Sequence, residues 1–180
     1  QMVLATNKNE VKYATVGTAS KFWSVWKEES LKENSSGFKA LEKLINKPIS
    51  QGAQRFLSVL LGKNKNLPSH SRLVTEQDKA IYALCRPERL LELIWKFTLF
   101  DAGIRKIARY QQYFVVKSAL KRVNQYTRKK TRKGGIIWQT QGSGKSLTMV
   151  MLTRNLALTP DIVNPRLILV TDRKNLDKQL

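Results

Sequence analysis

The chain has 180 residues, 42% of them hydrophobic, with 33 Lys and Arg against 13 Asp and Glu, a formal charge of +20 and a pI near 10.3. That apolar fraction excludes a disordered polyelectrolyte, and the positive excess points to polyanionic partners, nucleic acid first. One cysteine, Cys85, and one histidine, His70, exclude a disulfide framework and a zinc cluster, and no apolar run approaches the ~18 residues of a membrane span.

The first stretch, QMVLATNKNE, carries neither a charged n-region nor an apolar h-region, so the expected location is a reducing cytoplasm. A start at Gln1 and an end at Leu180, soon after an apolar run, lead us to expect a piece of a longer protein. Two β-rich arms, QMVLATN and VKYATVG, flank Lys8 and predict a hairpin. ASKFWSVWKEESL follows, with Phe22, Val25 and Trp26 at helical spacing, and ENSSGF reads as a loop. KALEKLIN predicts a short helix stopped by Pro48, AQRFLSVLLG a second helix capped by Gly62, and KNKNLPSHS a polar loop.

In RPERLLELIWKFTLFD, Pro87 suits a first helical position, Leu90, Leu91, Ile94 and Trp95 are expected to form the apolar face, and FTLF a short strand. IRKIARYQQYFVVKSALKRVNQY predicts a second helical stretch packed through Ile107, Phe114, Val115, Ala119 and Val123. TRKKTRKGG is a basic turn. GIIW reads as a buried strand, GKSLTMVMLTRNLAL as a helix and PRLILVT as another buried strand. Strand, helix, strand at this spacing is a βαβ unit and implies an α/β fold with a parallel sheet.

Charge is unevenly placed. No acidic residue lies between Asp101 and Asp161, and that interval holds thirteen Lys and Arg. A solvated helix face ordinarily mixes signs, so an anion-binding surface is the better reading. Within it, QGSGKS matches the end of the G-x-x-x-x-G-K-[ST] phosphate loop through Gly144, Lys145 and Ser146. Gln139 stands where the first glycine belongs, and Gly142 adds another two residues before Gly144. Small residues at 142 to 144 let successive N–H groups turn toward one cluster of oxyanions, and the helix beginning near Gly144 points its positive end there. Lys145 would neutralise β and γ oxygens, and the Ser146 hydroxyl would hold Mg²⁺. The competing reading is a structural glycine turn with an incidental lysine, in a non-enzymatic nucleic-acid-binding module.

IARYQQYFVVKSALKRV, GGIIWQTQGSGKSLTMVML and LILVTDRKNLDKQL together resemble the start of the motor in the restriction (R) subunit of type I restriction enzymes. These are superfamily 2 helicase-like DNA translocases with an upstream nuclease domain, and LATNKNEVKYATVGT resembles the segment that follows the nuclease core. The resemblance implies an α/β chain with a partial RecA-like P-loop motor domain, its parallel sheet flanked by helices, after a β-hairpin and a helical connector. It implies three segments: 1–30 as the tail of the nuclease domain, 31–85 as the connector and 86–180 as the incomplete first motor domain. It further implies ATP binding by Arg109, Gln112, Thr140, Gln141, Gly142, Ser143, Gly144, Lys145 and Ser146, with Gln112 reading the adenine edge through its amide.

TDRKNLDKQ resembles a DNA-backbone contact motif, so Thr171, Arg173 and Gln179 are the expected contacts, positioning DNA without reading its sequence. The parent would be an ATP-hydrolysing type I site-specific deoxyribonuclease working on double-stranded DNA with modification (methyltransferase) and specificity subunits. This piece alone is expected to lack efficient hydrolysis, since no apolar strand ends in a D-E pair. Asp172 follows LILVT but fits the DNA-contact motif better than a Walker B strand. Glu10 and Lys12 mimic a nuclease E-x-K, yet none of the nine preceding residues is acidic, so a cross-strand charge pair is expected instead.

Overall fold

The computed structural model describes residues 2–61, 71–162 and 164–170. Asn7 sets the first turn. Its Oδ1 accepts from the Asn9 and Glu10 N–H groups, both at 2.8 Å, an Asx turn that brings β1 (Met2–Thr6) antiparallel to β2 (Val11–Thr15). Thr6 faces Val11 and Met2 faces Thr15, so the expected hairpin forms. A short β3 (Ser24–Val25) adds to the free edge of β2. Glu10 and Lys12 do pair, at 3.0 Å, but along one chain segment instead of across the strands.

The helix expected through Phe22, Val25 and Trp26 is not formed. Single 3₁₀ turns at Ser20–Phe22 and Glu29–Leu31 bracket the β3 edge strand. The three side chains go to different places: Trp26 is buried, whereas Phe22 and Val25 are exposed. The β2 edge offers ladder partners to this segment, and Trp26 gains more by packing on Tyr13 and Tyr113 than a solvated helix would return.

Four helices follow: α1 (Ser36–Ile45), α2 (Gln51–Leu61), α3 (Glu76–Cys85) and α4 (Pro87–Lys96). α1 begins inside the expected loop because Ser35 Oγ accepts from Phe38 N at 3.1 Å. Gly62 and most of the polar loop lie outside the described residues. The start of α3 is a capping box: Thr75 Oγ1 accepts from Asp78 N, and the Asp78 carboxylate accepts from Thr75 N. Arg72 clamps the same carboxylate at 2.6 and 2.7 Å and holds its pKa well below the ordinary range.

Pro87 opens α4 as expected, but the helix is turned. Leu93 is fully buried, while Leu91 and Trp95 are 66% and 63% exposed and Ile94 is exposed too; of the four residues expected inward, only Leu90 is partly covered. Arg89 dictates this. Its guanidinium lies 4.6 Å from the Tyr113 ring, 5.4 Å from Trp26 and 5.7 Å from Phe114, and pairs with the half-buried Glu28 at 3.1 Å. Leu93 lies four residues on from Arg89, on the same face, so it follows the arginine inward.

A two-residue turn, Ala102–Gly103, with φ of 48° and 79°, joins β4 (Thr98–Asp101) to β5 (Ile104–Ile107). Positive φ at both central positions matches the right-handed twist of a hairpin. The helix expected from Ile104 therefore starts later, as α5 (Tyr110–Val123), and Ile107 sits on a strand. The side chains α5 buries are Gln112, Tyr113 and Val116, with Phe114, Val115, Ala119 and Val123 partly covered. The basic turn closes through Thr127, whose N–H donates to Thr131 O at 2.8 Å.

α6 (Lys145–Ala157) forms as expected, but the strands expected on either side do not. Ile136 and Trp138 are both 92% exposed, and residues 165–170 carry no strand. A strand requires a neighbour's N–H and C=O groups, and none of the described strands lies beside either segment. All described pairings are antiparallel, so the expected parallel sheet is absent among the described residues.

The core joins the hairpin to the helices. Tyr13, Trp26, Leu41, Leu84, Leu93, Phe97, Tyr113, Val116 and Met151 form one cluster. Tyr13 OH donates to Ala108 O at 2.8 Å, which fixes the N-terminal sheet against the entry to α5. Burial pushes that phenol's pKa up.

Candidate nucleotide site

Two glycines shape the loop before α6. Gly142 and Gly144 have φ of 76° and 82°, the left-handed region that a side chain resists. Gly144 is also the residue preceding the helix, so the N–H groups that open α6 have no carbonyl of their own turn to meet. Thr140 O gathers the loop: it accepts from Ser143 Oγ at 2.7 Å, from Lys145 Nζ at 3.2 Å and from Ser143 N at 3.4 Å.

Gln112 braces the loop from α5. It is 3% exposed. Its Oε1 accepts from Arg109 N at 2.9 Å, and its Nε2 donates to Gly144 O at 3.1 Å and Ser143 O at 3.5 Å. The contact is close enough that a Cβ on Gly144 would lie 2.6 Å from Nε2, whereas one on Gly142 would meet nothing within 4 Å. The glutamine amide is thus engaged with its own chain at both ends. The Gly144 carbonyl also accepts from Thr148 N at 3.0 Å and Thr148 Oγ1 at 3.1 Å. Gln139, which stands in for the missing first glycine, reaches Thr148 Oγ1 at 3.4 Å from the other side.

The loop opens onto a cavity of about 500 Å³. Of the residues expected to bind ATP, Arg109, Gln112, Gly142, Ser143 and Gly144 line it. Thr140, Gln141, Lys145 and Ser146 stand outside the lining, with Lys145 and Ser146 at the head of α6. Thr171, Arg173 and Gln179, and Asp172 with them, lie outside the described residues. The far wall comes from residues that sequence reasoning did not connect to the site: Thr15 and Thr18, whose hydroxyls share a hydrogen bond at 2.9 Å, and Phe22. Gly17, with φ of 85°, marks the turn that brings this wall round. The glycine that ends the predicted arm VKYATVG was the hint of it in the sequence.

The surroundings are cationic. Of the thirteen Lys and Arg between Asp101 and Asp161, only Lys106 and Lys117 form ion pairs among the described residues, with Asp101 and Glu92. The cavity lining has no carboxylate. Among the described residues no group of three His, Cys, Asp or Glu could hold a metal ion. A cation here would depend on ligand oxygens and a hydroxyl, which suits Mg²⁺ bound with phosphates. No helix of the described residues is long and apolar enough to cross a membrane.

Residues 111–180 match the family model for the SWI2/SNF2 ATPase. The HindI type I restriction enzyme endonuclease subunit of Haemophilus influenzae is 36% identical over 138 residues, which cover 73% of this chain and 13% of that protein. Two proteins of Methanocaldococcus jannaschii, with the type I restriction endonuclease-subunit names MjaVIIP and MjaIXP, are each 34% identical, over 107 and 110 residues. Those matches cover 55% and 59% of this chain and 10% of each relative. The chain thus spans between a tenth and 13% of the length of these relatives. No solved structure matches it. The resemblance to type I restriction endonuclease subunits read from the sequence is borne out, with an ATPase family matching the part that carries the glycine loop.

Proposed function

We propose that this chain is part of an ATP-dependent DNA translocase and endonuclease of a type I restriction-modification system, and that it supplies the ATP phosphate loop. The carrying observation is the loop itself: two left-handed glycines ahead of a 13-residue helix, facing a 500 Å³ cavity with cationic surroundings. Main-chain N–H groups at the head of α6 and the Gly142–Gly144 turn would hold the phosphates. The Lys145 ammonium rests on a neutral carbonyl, Thr140 O, and a charged phosphate oxygen is the stronger acceptor. Ser146 would complete the Mg²⁺ shell. Bound Mg²⁺ would neutralise the β and γ oxygens.

In this reading Arg109 and Gln112 flank the nucleotide, and Thr140, Gln141 and Ser143 shape the loop. Gln112 could read an adenine edge only by exchanging its present bonds to Arg109 and the loop. Thr171, Arg173 and Gln179 contact the DNA backbone. Residues 1–30 are the nuclease tail, 31–85 the connector and 86–180 the opening of a RecA-like motor whose apolar segments at 135–138 and 165–170 enter a parallel sheet. The cytoplasmic partners are double-stranded DNA and the modification and specificity subunits.

The test is Lys145→Ala in the full-length protein. DNA-dependent ATPase activity should be lost, together with binding of MgATP by calorimetry. Retention of both would remove Lys145 from the site. A chain that binds DNA with a steep salt dependence and is indifferent to MgATP would instead be the non-enzymatic basic module.

A further inference from the structure

The basic turn after α5 is closed at three levels. Lys133 N donates to Gln125 O at 2.9 Å, Thr127 N to Thr131 O at 2.8 Å and Lys130 N to Thr127 O at 3.0 Å. The Thr127 and Thr131 hydroxyls share a further hydrogen bond at 2.7 Å, and Tyr126 and Arg132 form a β-bridge. Two arginines hold the base of the turn. Arg122 Nε donates to Gly134 O at 2.9 Å, and Arg132 Nη1 donates to Val123 O at 3.2 Å while its guanidinium lies over the Tyr126 ring at 5.2 Å. The result is a short hairpin tied to the C-terminal end of α5, with Arg128, Lys129 and Lys130 at its tip.

All three tip residues are exposed, and among the described residues none of them forms an ion pair. Two features of the tip are unfavourable in the free protein. Three like charges in succession repel one another. Lys130 also has φ of 59°, the left-handed position at the end of a three-residue hairpin connection, which glycine or asparagine occupies more readily than lysine. Mixed charges and a glycine would remove both features and still close the turn. A polyanion offsets the repulsion, and Lys130 then supplies a cation at the place an ordinary turn gives to glycine.

We propose that Arg128, Lys129 and Lys130 grip the phosphate backbone of duplex DNA through this rigid hairpin. Phosphate contacts come mainly from arginine and lysine, whereas protein interfaces are poor in lysine and centre on aromatic anchors. The aromatic residue of the turn, Tyr126, already carries Arg132 on its ring. The proposal rests on the DNA-binding reading above and adds a contact to it. The turn comes before the apolar run at 135–138, and the contact segment proposed at 171–179 comes after the run at 165–170. Parallel strands put the start of one and the end of another at opposite ends of a sheet, so the turn is a second DNA contact, apart from the first.

The experiment measures binding of the full-length protein to a linear DNA duplex of arbitrary sequence, by fluorescence anisotropy over a series of salt concentrations. The triple variant Arg128→Ala/Lys129→Ala/Lys130→Ala should bind at least about tenfold more weakly at ~0.1 M salt, and the slope of log affinity against log salt should fall by about 3. Lys39→Ala/Lys43→Ala/Lys47→Ala removes the same charge from exposed positions on and just after α1 and should leave the slope unchanged. Lys130→Gly separates binding from structure. Glycine suits the left-handed position, so the unfolding temperature should not fall, yet duplex affinity should drop about fivefold. The proposal is overturned if the triple variant matches the charge-matched control, or if Lys130→Gly binds duplex as the parent does. Unchanged duplex binding with loss of assembly with other subunits would overturn it in favour of a protein interface. A parent that binds duplex while the turn variants bind equally well would remove the turn alone. A parent that binds no duplex would remove the DNA-binding reading with it.

Discussion

Gly144→Ala gives the sharpest test of how the loop is held. The substitution has two separable costs. A β-carbon in the left-handed region, at φ 82°, costs about 1–2 kcal/mol. The same β-carbon would lie 2.6 Å from Gln112 Nε2 and must displace an amide that is 3% exposed. Moving that amide weakens its bonds to Gly144 O and Arg109 N and leaves buried groups unpaired, about 1–3 kcal/mol. The total is about 3 kcal/mol, a large share of the ~5–15 kcal/mol that stabilises a typical domain. Gly142→Ala is the internal control, with φ 76° and open space around the added carbon, so it carries the first cost alone. Urea unfolding followed by tryptophan fluorescence should place Gly144→Ala below Gly142→Ala by about 1–3 kcal/mol. The double variant Gly144→Ala/Gln112→Ala removes the clash, so it should be less destabilised than the sum of its parts by about 1 kcal/mol or more. Equal losses at the two glycines, together with additivity in the double variant, would refute the bracing role of Gln112.

The ion pair behind α4 offers a second measurement: Arg89→Ala removes the 3.1 Å partner of the Glu28 carboxylate, leaving Arg86 at 3.7 Å and the Ser30 and Trp26 donors, and strips a cation from the Trp26 and Tyr113 rings, so thermal unfolding should reveal a loss of about 1–3 kcal/mol. Acid should act on the same pair. Burial alone would raise the Glu28 pKa, but hydrogen bonds from Arg89, Ser30 and Trp26 outweigh it and hold the value below the ordinary one. A carboxylate depressed on folding stabilises the protein above the unfolded value and loses that contribution as pH falls, so the unfolding temperature should drop below about pH 4.3, and drop less steeply in Glu28→Gln. The orientation of α4 is checked by truncation: Leu93→Ala should cost about 2–5 kcal/mol, and Leu91→Ala within about 0.5 kcal/mol of nothing.

Local chemistry was legible wherever a few neighbouring residues decide the outcome. The hairpin about Lys8, Pro87 at a helix start, and the glycine turn before α6 each depend on a few neighbouring residues, and each formed. The same rule would have located α3, since Thr75 and Asp78 carry its capping box in plain sequence. Periodicity was less reliable. Ile104–Ile107 continues a helical pattern into α5, but Ala102–Gly103 turns the chain into a hairpin first. Apolar runs at 135–138 and 165–170 read as strands because β-formers fill them, yet a strand exists only where a neighbour completes its ladder.

By itself the sequence determined the glycine loop, the helix it opens and the cationic stretch around them, because each depends on residue type and close spacing. The tertiary structure decided which faces are buried and what completes the site. Arg89 turned α4 because three aromatic rings and Glu28, from distant segments, converge on it. Phe22 reached the cavity because Tyr13 and Thr15 are anchored to the backbone around β5. Those are contacts across 90 or more residues, and no local pattern encodes a partner that far along the chain.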